Sequence, residues 1–195
     1  MAKAPKGSKQ SMLNKAMPIF LQTKLGDVIG DILNNLNTEM VSLPGLAIVS
    51  GGASPTVAAA KAFIAMVNGV VVLTPAATAM SAIAGTLATA NSGAWAFFID
   101  SSSTISSSAM AVGTTNALAI AALVAQIAAN QPAPVGPQQV VQKCLIGCIV
   151  VANATGSNFV AGTTNLDAGS VTTTYFDFPG NVQLVPLVNL ESRAP

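Results

Sequence analysis

The chain has 195 residues, of which 51% are hydrophobic and only 8% charged, with a formal net charge of +1 and no histidine. That charged share is about a third of the ~25% usual in globular domains, so the surface has to be built from Ser, Thr, Asn, Gln, Gly and Ala. The missing histidine removes the commonest general base, and the alanine-rich apolar runs are interrupted before any reaches the ~20 residues of a membrane-spanning helix.

Residues 1 to about 22, "MAKAPKGSKQSMLNKAMPIFLQ", mix Pro, Gly, Ser and Lys without a sustained period and read as an extended arm. No apolar stretch follows the basic start as a signal peptide would require, so synthesis in the cytoplasm without export by that route is expected. Five of the eight basic residues, Lys3, Lys6, Lys9, Lys15 and Lys24, precede the first acidic one, Asp27. In the next stretch Leu25, Val28, Ile29, Ile32, Leu33, Leu36 and Met40 recur at helical spacing and predict a short amphipathic helix. Asp27 and Asp31 sit in its first half, where the helix dipole favours negative charge. "SLPGLAIVSGGASP" then punctuates the chain, and a division is expected near it: residues 1–50 as arm and helix, residues 51–195 as a β-rich body.

In the body, "KAFIAMV" could begin helical, whereas "GVVVLT" is β-branched and stops at Pro75. Ala82–Ala88 and Ala94–Asp100 read as strands joined by "TANSG" and followed by a serine-rich turn. "NALAIAALVAQIAANQ" reads best as helix, ended by the three prolines of "QPAPVGP". "QQVVQKCLIGCIVVAN", "FVAGTT" and "VTTTYFDF" read as strands separated by turns, and "VQLVPLVNL" as an edge strand, because Pro186 cannot donate to a central ladder. Short strands with this turn chemistry argue for a mainly β fold, a β-sandwich or barrel-like body.

Candidates for chemistry are few. Asp167 and Asp177 could pair as two carboxylates across a hairpin, but Asp167 in "NLDAG" reads first as a turn residue bonding its own backbone, and Asp100 before "SSST" likewise. Cys144 and Cys148 on a strand would share a face ~13 Å apart, too far for a disulfide or a shared ion. Inert buried thiols are the expectation. No catalytic residue, cofactor, metal or small-molecule substrate is assigned. The basic arm alone could neutralise a few phosphates, but it has no arginine, and Phe20 as its only aromatic gives no stacking platform. A nucleic-acid-binding protein is therefore a second alternative, and a membrane-inserted pore a third.

Two stretches, "MSAIAGTLATANSGAWAFFIDSSST" and "PAPVGPQQVVQKCLIGCIVVANATGSNFVAGTTNLDAGSVTTTYFD", carry a likeness. Over roughly Gly69 to Asp177 the chain resembles small β-rich virion structural proteins of tailed bacteriophages. The shared pattern is a strand ending in an Asp-Ser turn, a proline stretch, and a strand leading into "F-x-x-GTT-x-LD". "KCLIGC" and "ALAIAALVAQIAA" depart from it. The resemblance implies a non-enzymatic capsid cement or decoration protein, or alternatively a tail or head-fibre component, present as a homo-oligomer in the virion. A trimer is the preferred arrangement. On that reading Lys3, Lys6, Lys9, Lys15, Phe20, Leu25, Val28, Ile29, Ile32, Leu33 and Leu36 anchor the chain to the major capsid protein. Phe159, Thr163, Thr164, Leu166, Tyr175 and Phe176 pack against a neighbouring subunit, with Thr side chains bonding across a pleated surface.

Overall fold

A computed structural model describes residues 38–49, 52–129 and 143–178. Its centre is two long strands, β7 (Asn91–Ile99) and β10 (Cys144–Asn153), paired antiparallel. Their sequences, "NSGAWAFFI" and "CLIGCIVVAN", are almost unbroken apolar runs rather than alternating ones. A run of that kind demands cover on both faces of the sheet, and both faces receive it. β12 (Val171–Asp177) pairs with the other side of β10, while β8 (Ile105–Ser107) and β9 (Ala111–Gly113) both pair with β7, completing a five-stranded sheet.

The large side chains of this sheet point one way and the small ones the other. Trp95, Phe97, Ile99, Ile149 and Val151 enter the main core, where they meet Phe63, Ala65, Val67, Leu87 and Phe159 from smaller sheets and Leu166 from the turn before β12. Trp95 is fully buried, donates its Nε1–H to the Ala84 carbonyl at 3.0 Å and meets the Phe159 ring edge-on at 6.2 Å. The opposite face presents Ala94, Ala96, Cys148 and Val150 to helix α1 (Asn116–Ala129). Ala119, Leu123 and Ile127, at i, i+4 and i+8, form the buried stripe of α1. Alanines on the sheet let that stripe approach closely, and burial of a leucine or isoleucine there contributes about 1.5–3 kcal/mol each.

Three small sheets close the main core. β1 (Glu39–Met40), β4 (Phe63–Val67) and β5 (Val70–Thr74) form one, in the order β1-β4-β5. β2 (Leu46–Ile48) pairs with β3 (Val57–Ala59), and β6 (Thr86–Leu87) with β11 (Phe159–Val160). The whole is mainly β.

Several expectations change. Met40, assigned to the helical stripe, lies in β1, and "FIAMV" is strand rather than helix start. The hairpin signal there is Asn68-Gly69, with both residues at positive φ (53° and 75°), the geometry of a two-residue turn whose twist matches its strands. β2 and β3 pair across the division expected near Ser50. Of Ala82–Ala88 only Thr86–Leu87 is strand. "FVAGTT" shortens to Phe159–Val160, because the Val160 carbonyl accepts the N–H groups of both Thr163 and Thr164 and turns the chain there. "NFVAGTTNLDAGSVTTTYFD" is consequently no hairpin: β11 pairs with β6 and β12 with β10. Helix at 116–129, strands at 94–99 and 144–153, and the Asp100 turn agree with expectation. The arm, the N-terminal helix, "QPAPVGP" and "VQLVPLVNL" lie outside the described residues.

The cysteine geometry is also corrected. In the β7–β10 ladder Leu145 opposes Phe98 and Gly147 opposes Phe97, so Ile146 is an inserted residue. This bulge reverses the alternation. Cys144 therefore lies in the main core and Cys148 under α1, on opposite faces of one strand.

Candidate interaction surface

The bulge brings Gly147 to a crowded place. A Cβ at Gly147 would stand 2.6 Å from Leu46 Cδ1 and collide with the Phe176 carbonyl oxygen. With no side chain there, β2 fits against the sheet, and Asp177, opposite Gly147 on β12, accepts the Leu46 N–H through Oδ1 at 2.9 Å. A second carboxylate acts similarly. Asp167 Oδ2 accepts the Ala53 N–H at 2.8 Å, while the Leu166 N–H donates to the Ser54 carbonyl nearby. Asp167 was expected to bond its own turn; instead it ties two loops 114 residues apart. Asp100 does close its own turn, accepting from Ser102 and Thr104 at 2.9 Å each. All three aspartates thus hold backbone N–H groups, and charge-assisted bonds of this type are the stronger kind.

The thiols are equally committed to packing. Burial pushes both up to about 11, with the charge of Glu39 adding to the effect at Cys144. Cys148 borders an apolar cavity of about 30 Å³ between α1 and the sheet, lined also by Leu123, Ile127 and Phe178. Burial, and secondarily the charge of Asp167, raises the Tyr175 phenol above its usual range. Among the described residues, no group of three or more His, Cys, Asp or Glu could hold a metal ion.

Of the residues expected to meet a neighbouring subunit, two belong to the chain's own core. Phe159 and Leu166 are 1% and 2% exposed, so no second copy can reach them while this fold is kept. Tyr175 packs partly against the same core, and Thr173 Oγ1 bonds the Leu166 carbonyl at 2.7 Å rather than a cross-strand threonine. Thr164 Oγ1 accepts the Val160 N–H within its turn. Thr163 and Phe176 remain open to solvent, Phe176 on the helix-facing side of β12. The expected anchoring residues, Lys3, Lys6, Lys9, Lys15, Phe20, Leu25, Val28, Ile29, Ile32, Leu33 and Leu36, lie outside the described residues.

The largest exposed apolar groups sit elsewhere. Val71 and Leu73 on β5 are 68% and 69% exposed, and Val41 is 58% exposed. Leu73 stands opposite Ile64, and Val71 opposite Met66, with Ile64 and Met66 half-buried on the same outer face of the small sheet. Val41 joins the row because its N–H donates to the Ile64 carbonyl at 2.9 Å. The face therefore reads Val41–Ile64–Leu73 beside Glu39–Met66–Val71. Contiguous exposed apolar surface of this kind marks an interaction site more often than scattered single residues do. The alternation of Ile64, Met66, Val71 and Leu73 around Asn68-Gly69 was the signal for it in the sequence.

No helix among the described residues is long and apolar enough to cross a membrane, which says nothing of a strand-built span. Comparison with protein-family models, with curated proteins and with solved structures finds no match to this chain.

Proposed function

We propose that this chain is a non-enzymatic structural protein of a tailed-phage virion, a capsid cement or decoration protein that works in many copies. The observation that carries the reading is the outer face of the β1-β4-β5 sheet, apolar and exposed on a body with almost no charge. Among the described residues only Glu39, Lys61, Asp100, Lys143, Asp167 and Asp177 are charged, and the three aspartates are spent on backbone N–H groups. Such a surface offers little repulsion between copies and little for a charged ligand to hold. The five-stranded sheet and the small sheets opposite it act as a sandwich-like body that meets its own kind, with a closed trimer the preferred assembly. Residues 1–36 supply the anchor to the major capsid protein, since Glu39–Met40 and Leu46–Ile48 of the expected 1–50 segment are strands of the body itself.

Mass spectrometry of purified particles from a culture carrying this sequence tests the location. The chain should be recovered at tens of copies or more per particle, and deletion of residues 1–36 should remove it from particles while leaving the circular dichroism of the body unchanged. Particles that lack the chain would end the virion reading. Undiminished occupancy after the deletion would end the anchoring role.

A further inference from the structure

β5 closes one side of the β1-β4-β5 sheet, and its hydrogen-bonding pattern can be followed residue by residue. Ile64 turns both backbone groups toward the β1 side: its carbonyl accepts from Val41 at 2.9 Å, and its N–H donates to Ser42 Oγ at 2.8 Å. Leu73, opposite Ile64, is therefore in a pair that exchanges no bonds with β4. By alternation the same holds for Val71 opposite Met66, while Val70, Val72 and Thr74 carry the β4 ladder. The N–H and C=O of Val71 and Leu73 thus point outward along a free edge, and among the described residues nothing pairs with them.

Among the described residues this edge has none of the usual protections. Between Lys61 and Asp100 the chain has no charged residue, and β5 holds neither proline nor bulge. The four free groups are also symmetric about Val72. An antiparallel copy of β5, related by a two-fold axis at Val72, sets Val71 opposite Leu73 in both directions. Each such pair exchanges two backbone bonds, and all four outward side chains stay on one face, extending the apolar row across the axis.

We propose that β5 is a self-association edge, through which two copies of this chain pair antiparallel about a two-fold axis at Val72. The proposal deepens the multi-copy reading above and needs only its self-association half, not the virion. A five-residue edge is ~17 Å long and covers well under the ~800 Å² per partner of a standard interface, so the contact is weak in free solution and gains where copies are held together. It gives dimers, or joins one closed oligomer to the next.

Residue-resolved amide exchange by NMR, run beside sedimentation on the full chain from about 10 µM to 1 mM, decides it. Expected is a rise in mass toward an even multiple of the low-concentration species. With it, exchange at Val71 and Leu73 alone in β5 slows by about tenfold or more, the other three amides being bonded already. Val71→Lys and Leu73→Pro, both outside the core and the second removing an N–H that β4 does not use, should each abolish the rise and the slowing. The double variant Val71→Cys with Leu73→Cys should oxidise to a covalent dimer, since bonded antiparallel pairs stand ~5.5 Å apart at Cα, within disulfide range.

Three outcomes overturn the proposal. A mass unmoved by Val71→Lys leaves oligomerisation standing but removes this edge. Amides protected in a monomer at 10 µM mean that another part of the chain covers β5. A chain that stays monomeric with both amides unprotected at 1 mM removes the edge and the self-association reading together.

Discussion

Alkylation of the two cysteines provides a demanding test of the β7–β10 bulge. The perturbation is iodoacetamide at pH 8, and the reacting species is the thiolate. Burial moves both thiols from an ordinary 9.0 to about 11. At pH 8 the folded protein should therefore hold roughly a hundredfold fewer thiolates than the unfolded chain, before steric protection adds to the difference. The two sites should also differ from each other. Cys144 is in the main core with Ile99 and Ile146, so modification requires global opening. Cys148 is covered by α1, so lifting one helix exposes it. Leu123→Ala removes the middle of the buried stripe and should destabilise by about 2–5 kcal/mol, loosening α1 first. It should speed labelling of Cys148 several-fold more than that of Cys144.

The pH dependence has a definite sign. The unfolded chain loses the thiol protons near 9.0, while the folded protein keeps them until about 11. Above pH 9 the unfolded state thus binds fewer protons than the native one, and stability falls as pH rises. The thiol contribution is complete below pH 9 and is lost through pH 11. Tyr175, also raised, adds a slope of the same sign, so the comparison is with Cys144→Ala/Cys148→Ala, which should show a shallower decline in denaturant midpoint between pH 9 and 11. The assay is intact mass with peptide mapping against time. Equal labelling rates at both sites in wild type and in Leu123→Ala would refute the opposite-face placement. So would a Cys144–Cys148 disulfide formed without unfolding.

Gly147→Ala places a methyl against the Phe176 carbonyl and Leu46, and should cost about 2 kcal/mol or more in chemical denaturation, against under 1 for an exposed glycine such as Gly169. Asp177→Ala should cost about 1.5–3 kcal/mol by leaving the Leu46 N–H without its carboxylate, and Asp177→Asn should recover part of that through a neutral bond. Gly69→Ala, at φ +75° with open space around it, should cost about 1–2 kcal/mol from backbone strain alone, measured by thermal unfolding.

The long apolar strands, the central helix and the Asp-Ser turn were legible because each is a local signal: "AWAFFI" and "CLIGCIVV" are too apolar for a surface, and "NALAIAALVAQIAA" is followed in sequence by the three prolines of "QPAPVGP". What was not legible depends on partners distant in sequence. The strand ends at Val160 because its carbonyl takes two following N–H groups, and Asp167 is recruited by Ala53, 114 residues away. The cysteine faces turn on one inserted residue, which no period-two count along "KCLIGC" can register. Two residues of the expected subunit surface lie inside the chain's own core for a related reason. Phe159 and Leu166 look like interface residues in a threonine-rich segment, yet Trp95 and the main core claim them first. The face that is exposed was announced by "NG" between alternating apolar residues, a turn signal that the alanines of "KAFIAMV" masked with helical propensity.

The distribution of charge separates the rival readings. Contacts made by β5 would rest on backbone bonds and apolar side chains, neither of which salt screens, whereas an arm that neutralises phosphates loses affinity steeply with each counterion released. Self-association of the full chain should therefore change little between 50 and 500 mM NaCl and strengthen in sulfate, which favours burial of apolar surface. Binding to duplex DNA, if it occurs at all, should collapse over the same range. Association that vanishes by about 200 mM NaCl would place the driving force on the five lysines before Asp27 rather than on the sheet. Insensitivity has only one source in a chain this poor in charge. The three aspartates among the described residues are engaged with backbone N–H groups, so Glu39 is the one carboxylate beside the apolar row of the β1-β4-β5 face.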